Sequence, residues 1–138
     1  MSAQNLISVR RIYDGWNSGE LAGTLGELID PAIEVHPDPA SAWPGIEPVY
    51  HGHDGIRSYL ASIYAAFAEY RAEPERLIDA GERVVVLAIE RGRGRQSGAE
   101  VEIRHTAHVW TLSAGRAVRL DVNWDRERAL AQAGLAAQ

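Results

Sequence analysis

The apolar positions of this chain follow two periods. Up to Tyr70 they recur at helical spacing, and beyond it they alternate. Leu6, Val9, Ile12, Tyr13 and Trp16 mark a first helix, which "NSGE" at 17 to 20 breaks. A weaker helix fits 21 to 29, where Gly23 and Gly26 each cost roughly 1 kcal/mol relative to Ala, and Pro31 ends it. Residues 33 to 36 then read as a strand and "VYHG" at 49 to 52 as another, joined by a proline-rich loop carrying Trp43. From about Asp54 to Tyr70 the residues Ile56, Leu60, Ile63, Phe67 and Tyr70 lay one stripe on a core, which predicts the clearest helix.

Alternation then predicts strands over 72–80, 83–93, 100–112 and 116–124, separated by "AGE", "RQSGA" and "SAG". A closing helix over 125–133 has Asp125 as N-cap and Gly134 past its end. Helices followed by a meander predict an α+β domain with helices covering one face of a bent antiparallel sheet. The strand "VVVLAI" at 84 to 89 is apolar on both faces, so the back of that sheet needs cover, and a second copy of the chain would supply it. On the later strand Val101, Ile103, Ala107 and Val109 oppose a face carrying Arg104, Thr106, His108 and Trp110.

Composition narrows the chemistry. With 138 residues, 46% hydrophobic and 24% charged, the chain is one globular domain over 1–138. A net charge of −5 offers no field for phosphate backbones or anionic bilayers, so nucleic acid and membrane surfaces are excluded as expected partners in favour of a small, mostly apolar molecule. There is no cysteine, hence no thiolate nucleophile, and all fourteen basic residues are arginine, hence no Schiff-base lysine. No apolar run is long enough to span a bilayer and the N-terminus lacks an h-region, which leads us to expect a soluble cytoplasmic protein.

"VYHGHDGIRSYL", "VEIRHTAHVWTLSAGRAVRL" and "NWDRERALAQAGL", in this order of elements, resemble the SnoaL-like branch of the nuclear transport factor 2-like superfamily. Its relatives include ketosteroid isomerases, scytalone dehydratases, limonene epoxide hydrolases and polyketide cyclases. The resemblance spans about 6–135 and implies a cone-shaped, cystatin-like curved sheet with a pocket between it and the helices; the homodimer, through the convex face, is expected from the two-sided burial of the sheet. The resemblance also implies cofactor-independent chemistry with no metal. In the isomerases the general base ends the first strand before a proline, which corresponds to His36; the oxyanion donor corresponds to His108. The helix-one tyrosine of that group falls on Ile12, while Tyr13 is about 100° around the helix, a departure from steroid isomerisation. Arg104 shares the face of His108 but Asp121 alternates away, which departs from the epoxide hydrolases.

His36 has two readings. Alternation with Ile33 and Val35 leaves Glu34 and His36 facing water, whereas the resemblance turns them into the pocket, with Glu34 orienting the imidazole. His108 is either a pocket acid or an inert, hydrogen-bonded core histidine. The expected pocket wall comprises Tyr13, Trp16, Tyr59, Ile63, Trp110, Val122 and Trp124, together with Glu34 and Arg104. His51 and His53 are two apart but lack a third ligand at metal spacing. Two functions remain open: an isomerase, cyclase or dehydratase using His36 and His108, and a non-catalytic homodimeric binding module.

Overall fold

The computed structural model describes residues 2–19, 21–41 and 45–135; Glu20 of the first break and Trp43 of the proline-rich loop lie outside the described residues. Helix α1 (Ser2–Ser18) buries Val9, Ile12, Tyr13 and Trp16. Helix α2 (Ala22–Leu28) passes directly into strand β1 (Ile29–His36). Pro31 therefore stands inside the strand rather than ending the helix. It is exposed and sits where the pairing register shifts between Ile29 and Glu34, a place where a missing N–H costs no ladder bond.

Strand β2 (Tyr50–His51) leads into α3 (Gly52–Ala66). The helical spacing runs on through Phe67 and Tyr70, but the chain leaves α3 at Ala66 and turns extended at Phe67, with φ −132° and ψ 128°. Strand β3 (Phe67–Ala80) then pairs along nearly the whole of β4 (Arg83–Gly94), so the ladder overrides the local helical pattern. Near its start β3 is irregular: the register shifts between Ala68 and Arg71, and Glu69 takes a positive φ of 56°. Gly92 on β4 makes room for this, since a Cβ there would meet the Phe67 Cβ at 3.2 Å.

The single strand read over 100–112 is two, β5 (Glu100–Ile103) and β6 (Ala107–Ser113). Both pair with β4, and the crossing between them is held by Ala88 and Thr106, whose carbonyls also accept from the Arg126 guanidinium. Strand β7 (Arg116–Asn123) and helix α4 (Arg126–Gln132) complete the chain. Asp125 caps α4 by accepting from the Arg128 N–H, and Gly134 follows it at φ 76° with Leu135 N–H reaching back to Leu130.

The sheet order is β2-β1-β7-β6-β4-β3, with β5 also on β4. Neighbours are antiparallel except β1 and β7, which are parallel, so the curved sheet is mixed rather than purely antiparallel. Most of the chain separates β1 from β7, and no hairpin constrains their direction. Helices α1 to α3 cover one face and form the main core, which takes Val84, Val86 and Ala88 from β4. The other face carries a second cluster in which Val85, Leu87, Ala107 and Val109 pack on Ala129 and Leu130 of α4. The two-sided burial of β4, which suggested a second copy, is thus met inside the chain by α4.

Candidate functional site

The site is built on the helix-covered face. Alternation along β6 sends Ala107 and Val109 to the α4 side and His108 and Trp110 to the side of α1, where both are buried. Tyr13 and Trp16, one turn apart on α1, come down on them. The Trp110 indole N–H donates to the Tyr13 hydroxyl at 3.0 Å, and that hydroxyl is hydrogen-bonded to His108 Nδ1 with the two ring planes nearly parallel. The Tyr13 oxygen accepts from Trp110, and among the described residues Nδ1 is the acceptor within reach of its proton; the phenol therefore donates to Nδ1, and the ring proton of His108 belongs on Nε2. Nε2 is buried and has no hydrogen-bond partner among the described residues.

Among the described residues the carboxylate within ion-pair distance of it is Glu90, whose Oε1 lies 3.9 Å away, too far for a direct hydrogen bond. The same oxygen accepts from the Tyr70 hydroxyl at 2.6 Å. Tyr70 reaches it from the irregular start of β3, and Glu90 extends the alternation of Val84, Val86 and Ala88 on β4. Burial holds His108 below the ordinary imidazole range, a shift that the Glu90 charge partly offsets. The imidazole is therefore neutral near pH 7. Burial likewise raises Tyr13, Tyr59 and Tyr70 well above the ordinary phenol value, so all three keep their protons. The Glu90 carboxylate adds to each of these shifts.

Glu90 and Tyr70 also form part of the wall of a cavity of about 30 Å³, whose other sides include Ile63, Phe67, Ile103 and Trp124. That is room for about two waters. Trp16, Trp110, Tyr13 and Tyr59 fill the interior behind it with buried rings. Trp124 is half-buried, edge-on to His105, and its backbone N–H donates to the buried Asp38 carboxylate at 2.7 Å.

The structure gathers Tyr13, Trp16, Tyr59, Ile63, His108, Trp110 and Val122 into one interior, with Trp124 at its edge. It does not bring His36 there. Ile33 and Val35 join the main core, so Glu34 and His36 face the other side of the sheet, where His36 Nε2 and Glu34 Oε1 are 2.9 Å apart. The hydrogen bond to His36 holds the Glu34 carboxyl below its usual range. Across the parallel pair His36 stands beside Asp121, itself bridged twice by Arg119 at 2.8 and 2.9 Å. The reading by alternation describes His36, and the two histidines share no cavity. Arg104 leaves the face of His108 because the strand breaks before Thr106; it is exposed and paired with Glu102. His53 bonds the Ile29 carbonyl at 2.8 Å, and His51 is exposed.

Glu90 and Tyr70 are the residues that sequence reasoning missed. The alternation from Val84 points Glu90 inward, but an acid closing an apolar run reads as its solvated end.

Similar folds occur in known structures. An NTF2-like protein of unknown function from Burkholderia pseudomallei is 27% identical, with 93% of this chain and 95% of that one covered at a TM-score of 0.78. TerC, crystallised with polyporic acid, is 23% identical over 95% and 98% at a TM-score of 0.77. IdmH, a candidate polyketide cyclase from Streptomyces antibioticus, is 23% identical over 96% and 99% at 0.72. No curated protein sequence matches. The SnoaL-like domain model matches residues 9–120, and the chain belongs to the SnoaL-like domain family.

Proposed function

We propose that this protein is a cofactor-independent proton-transfer enzyme of the isomerase, cyclase or dehydratase kind, acting on a small, mostly apolar molecule, with Glu90 as the group that takes and returns the proton. The observation that carries this reading is a nearly buried carboxylate on the wall of a mostly apolar cavity, fixed by Tyr70 at 2.6 Å and backed by His108. A base of this kind has to be aimed, and the Tyr70 hydroxyl holds one oxygen while leaving the other for substrate. Burial keeps the imidazole neutral, and the chain Trp110, Tyr13, His108 holds its proton on the Glu90 side. When Glu90 gains a proton, His108 adjusts without taking up charge. The fold shared with IdmH, a candidate polyketide cyclase, and with TerC, crystallised with polyporic acid, supports this class of small-molecule chemistry by analogy only.

The size of the cavity favours a second reading, a binding module, because a ring-sized substrate requires Phe67 or Trp124 to give way. Hydrogen–deuterium exchange at the α-carbons of a panel of small cyclic enones, followed by NMR in D₂O, separates the two. The enzyme reading expects exchange that Glu90→Gln reduces by roughly 10² to 10⁴-fold and that His36→Ala leaves unchanged. Absence of exchange above the uncatalysed rate across the panel leaves the binding module.

A further inference from the structure

Glu90 has a second property that the proton-transfer reading does not use. Its carboxylate is nearly buried, at 9% exposure, and among the described residues no arginine lies within ion-pair distance. Arg91 also borders the cavity, but it is tied to Glu73 at 3.1 Å and Glu102 at 3.5 Å. His108, 3.9 Å from Glu90, is held neutral by its own burial, and among the described residues Tyr70 is the one hydroxyl that donates to this carboxylate. Buried carboxylates are ordinarily matched by a cation, and a single neutral hydrogen bond compensates only part of the cost of desolvation.

We propose that the cavity is a binding site for a small alkylammonium ion, whose N–H donates to Glu90 and whose alkyl groups lie against Phe67, Tyr70 and Trp124. Two observations support this ligand over an inorganic cation, and the volume then limits its size. The wall offers one carboxylate and a hydroxyl already engaged as a donor, not the six or so oxygens that a hard cation needs in exchange for its hydration shell. Three of the cavity's residues are aromatic, and a weakly hydrated organic cation gains from ring faces what a metal ion would seek from oxygens. The volume of about 30 Å³ limits the ion to a few heavy atoms. The negative net charge of −5 raises the local concentration of such ions. The inference shares its cavity and Glu90 with the proposed function but does not depend on catalysis; an ammonium ion on Glu90 would block proton transfer there.

Isopropylammonium and isopropanol are near-isosteric and differ in charge. Titrating each into the full chain at constant ionic strength, with the Trp124 indole and Phe67 ring followed by NMR, is the test. Isopropylammonium is expected to bind at least about 10-fold more tightly than the alcohol, as a charge-assisted hydrogen bond requires. Glu90→Gln should abolish that preference while leaving the alcohol's affinity in place. Should that variant fail to fold, Trp124→Leu serves instead, weakening the cation severalfold more than the alcohol. Equal affinity for the two probes, no binding of the ammonium, or a preference that survives Glu90→Gln overturns the inference. Enone exchange measured in parallel keeps the outcomes apart: ammonium binding without exchange retains this site and removes the enzyme reading, and the converse does the opposite.

Discussion

His108 and His36 sit on strands of one sheet, each beside a glutamate, and their circumstances are opposite. His108 faces the helices, is 2% exposed, and lies between Tyr13 and Glu90 in a region closed by Trp16 and Trp110. His36 faces the other side, half-buried, in a chain of charged neighbours formed by Glu34, Arg119 and Asp121. What separates them is the layer laid over each face. On the first, three helices exclude water, so every polar group there must be bonded within the protein or left for a ligand. On the second, α4 covers only the stretch around Val85, Leu87 and Val109, and Glu34, His36 and Arg119 keep contact with solvent that screens their charges, while Asp121 beside them is buried.

The sharpest way to break this contrast is to empty the closed side. Trp110→Ala removes a fully buried ring and the donor that orients Tyr13, and a loss of about 3–5 kcal/mol is expected in urea unfolding. Tyr13→Phe keeps the ring but leaves the Trp110 N–H and His108 Nδ1 without partners, for a loss of about 1–3 kcal/mol. Nitrogen-15 spectra of the same variant should show His108 no longer confined to one tautomer.

Acid sharpens the comparison further. The native pKa of His108 is lowered, so below its ordinary value of 6.5 the unfolded chain takes up a proton that the native protein refuses. Stability therefore falls as pH drops from about 6.5 towards the native pKa, at up to about 1.4 kcal/mol per pH unit from this group. Comparing wild type with His108→Gln across that window isolates the contribution. The smallest effect belongs to the open side: His36→Ala should change stability by less than about 1 kcal/mol, the range of a solvent-screened pair, and thermal unfolding checks it.

Most of the architecture was legible because it rests on periodicity. The stripe Val9, Ile12, Tyr13 and Trp16, the alternation around His108 and Trp110, and both signals bounding α4 appear in the structure as they read in the chain. The failures are places where a longer-range constraint defeated a local pattern. Phe67 and Tyr70 keep helical spacing from Ile63 yet belong to β3, because β4 offers them a ladder and Glu69 and Gly92 accommodate the bend. Pro31 reads as a helix stop but tolerates a strand at a register shift. For His36 the strand's own alternation was the better guide than the face implied by resemblance, since Ile33 and Val35 fill the main core and leave Glu34 and His36 on the other side of the sheet. Glu90 was legible only if the alternation of β4 had been carried one step beyond its last aliphatic residue.

The most direct test of the account is the state of His108 itself, read from its ring nitrogens by NMR. The prediction is a neutral imidazole at pH 7 with its proton on Nε2, titrating below 6.5, and moving lower still in Glu90→Gln once the charge that supports protonation is gone. An imidazolium at pH 7, or a proton on Nδ1, would contradict the chain from Trp110 through Tyr13 to His108 and with it the role assigned to Glu90.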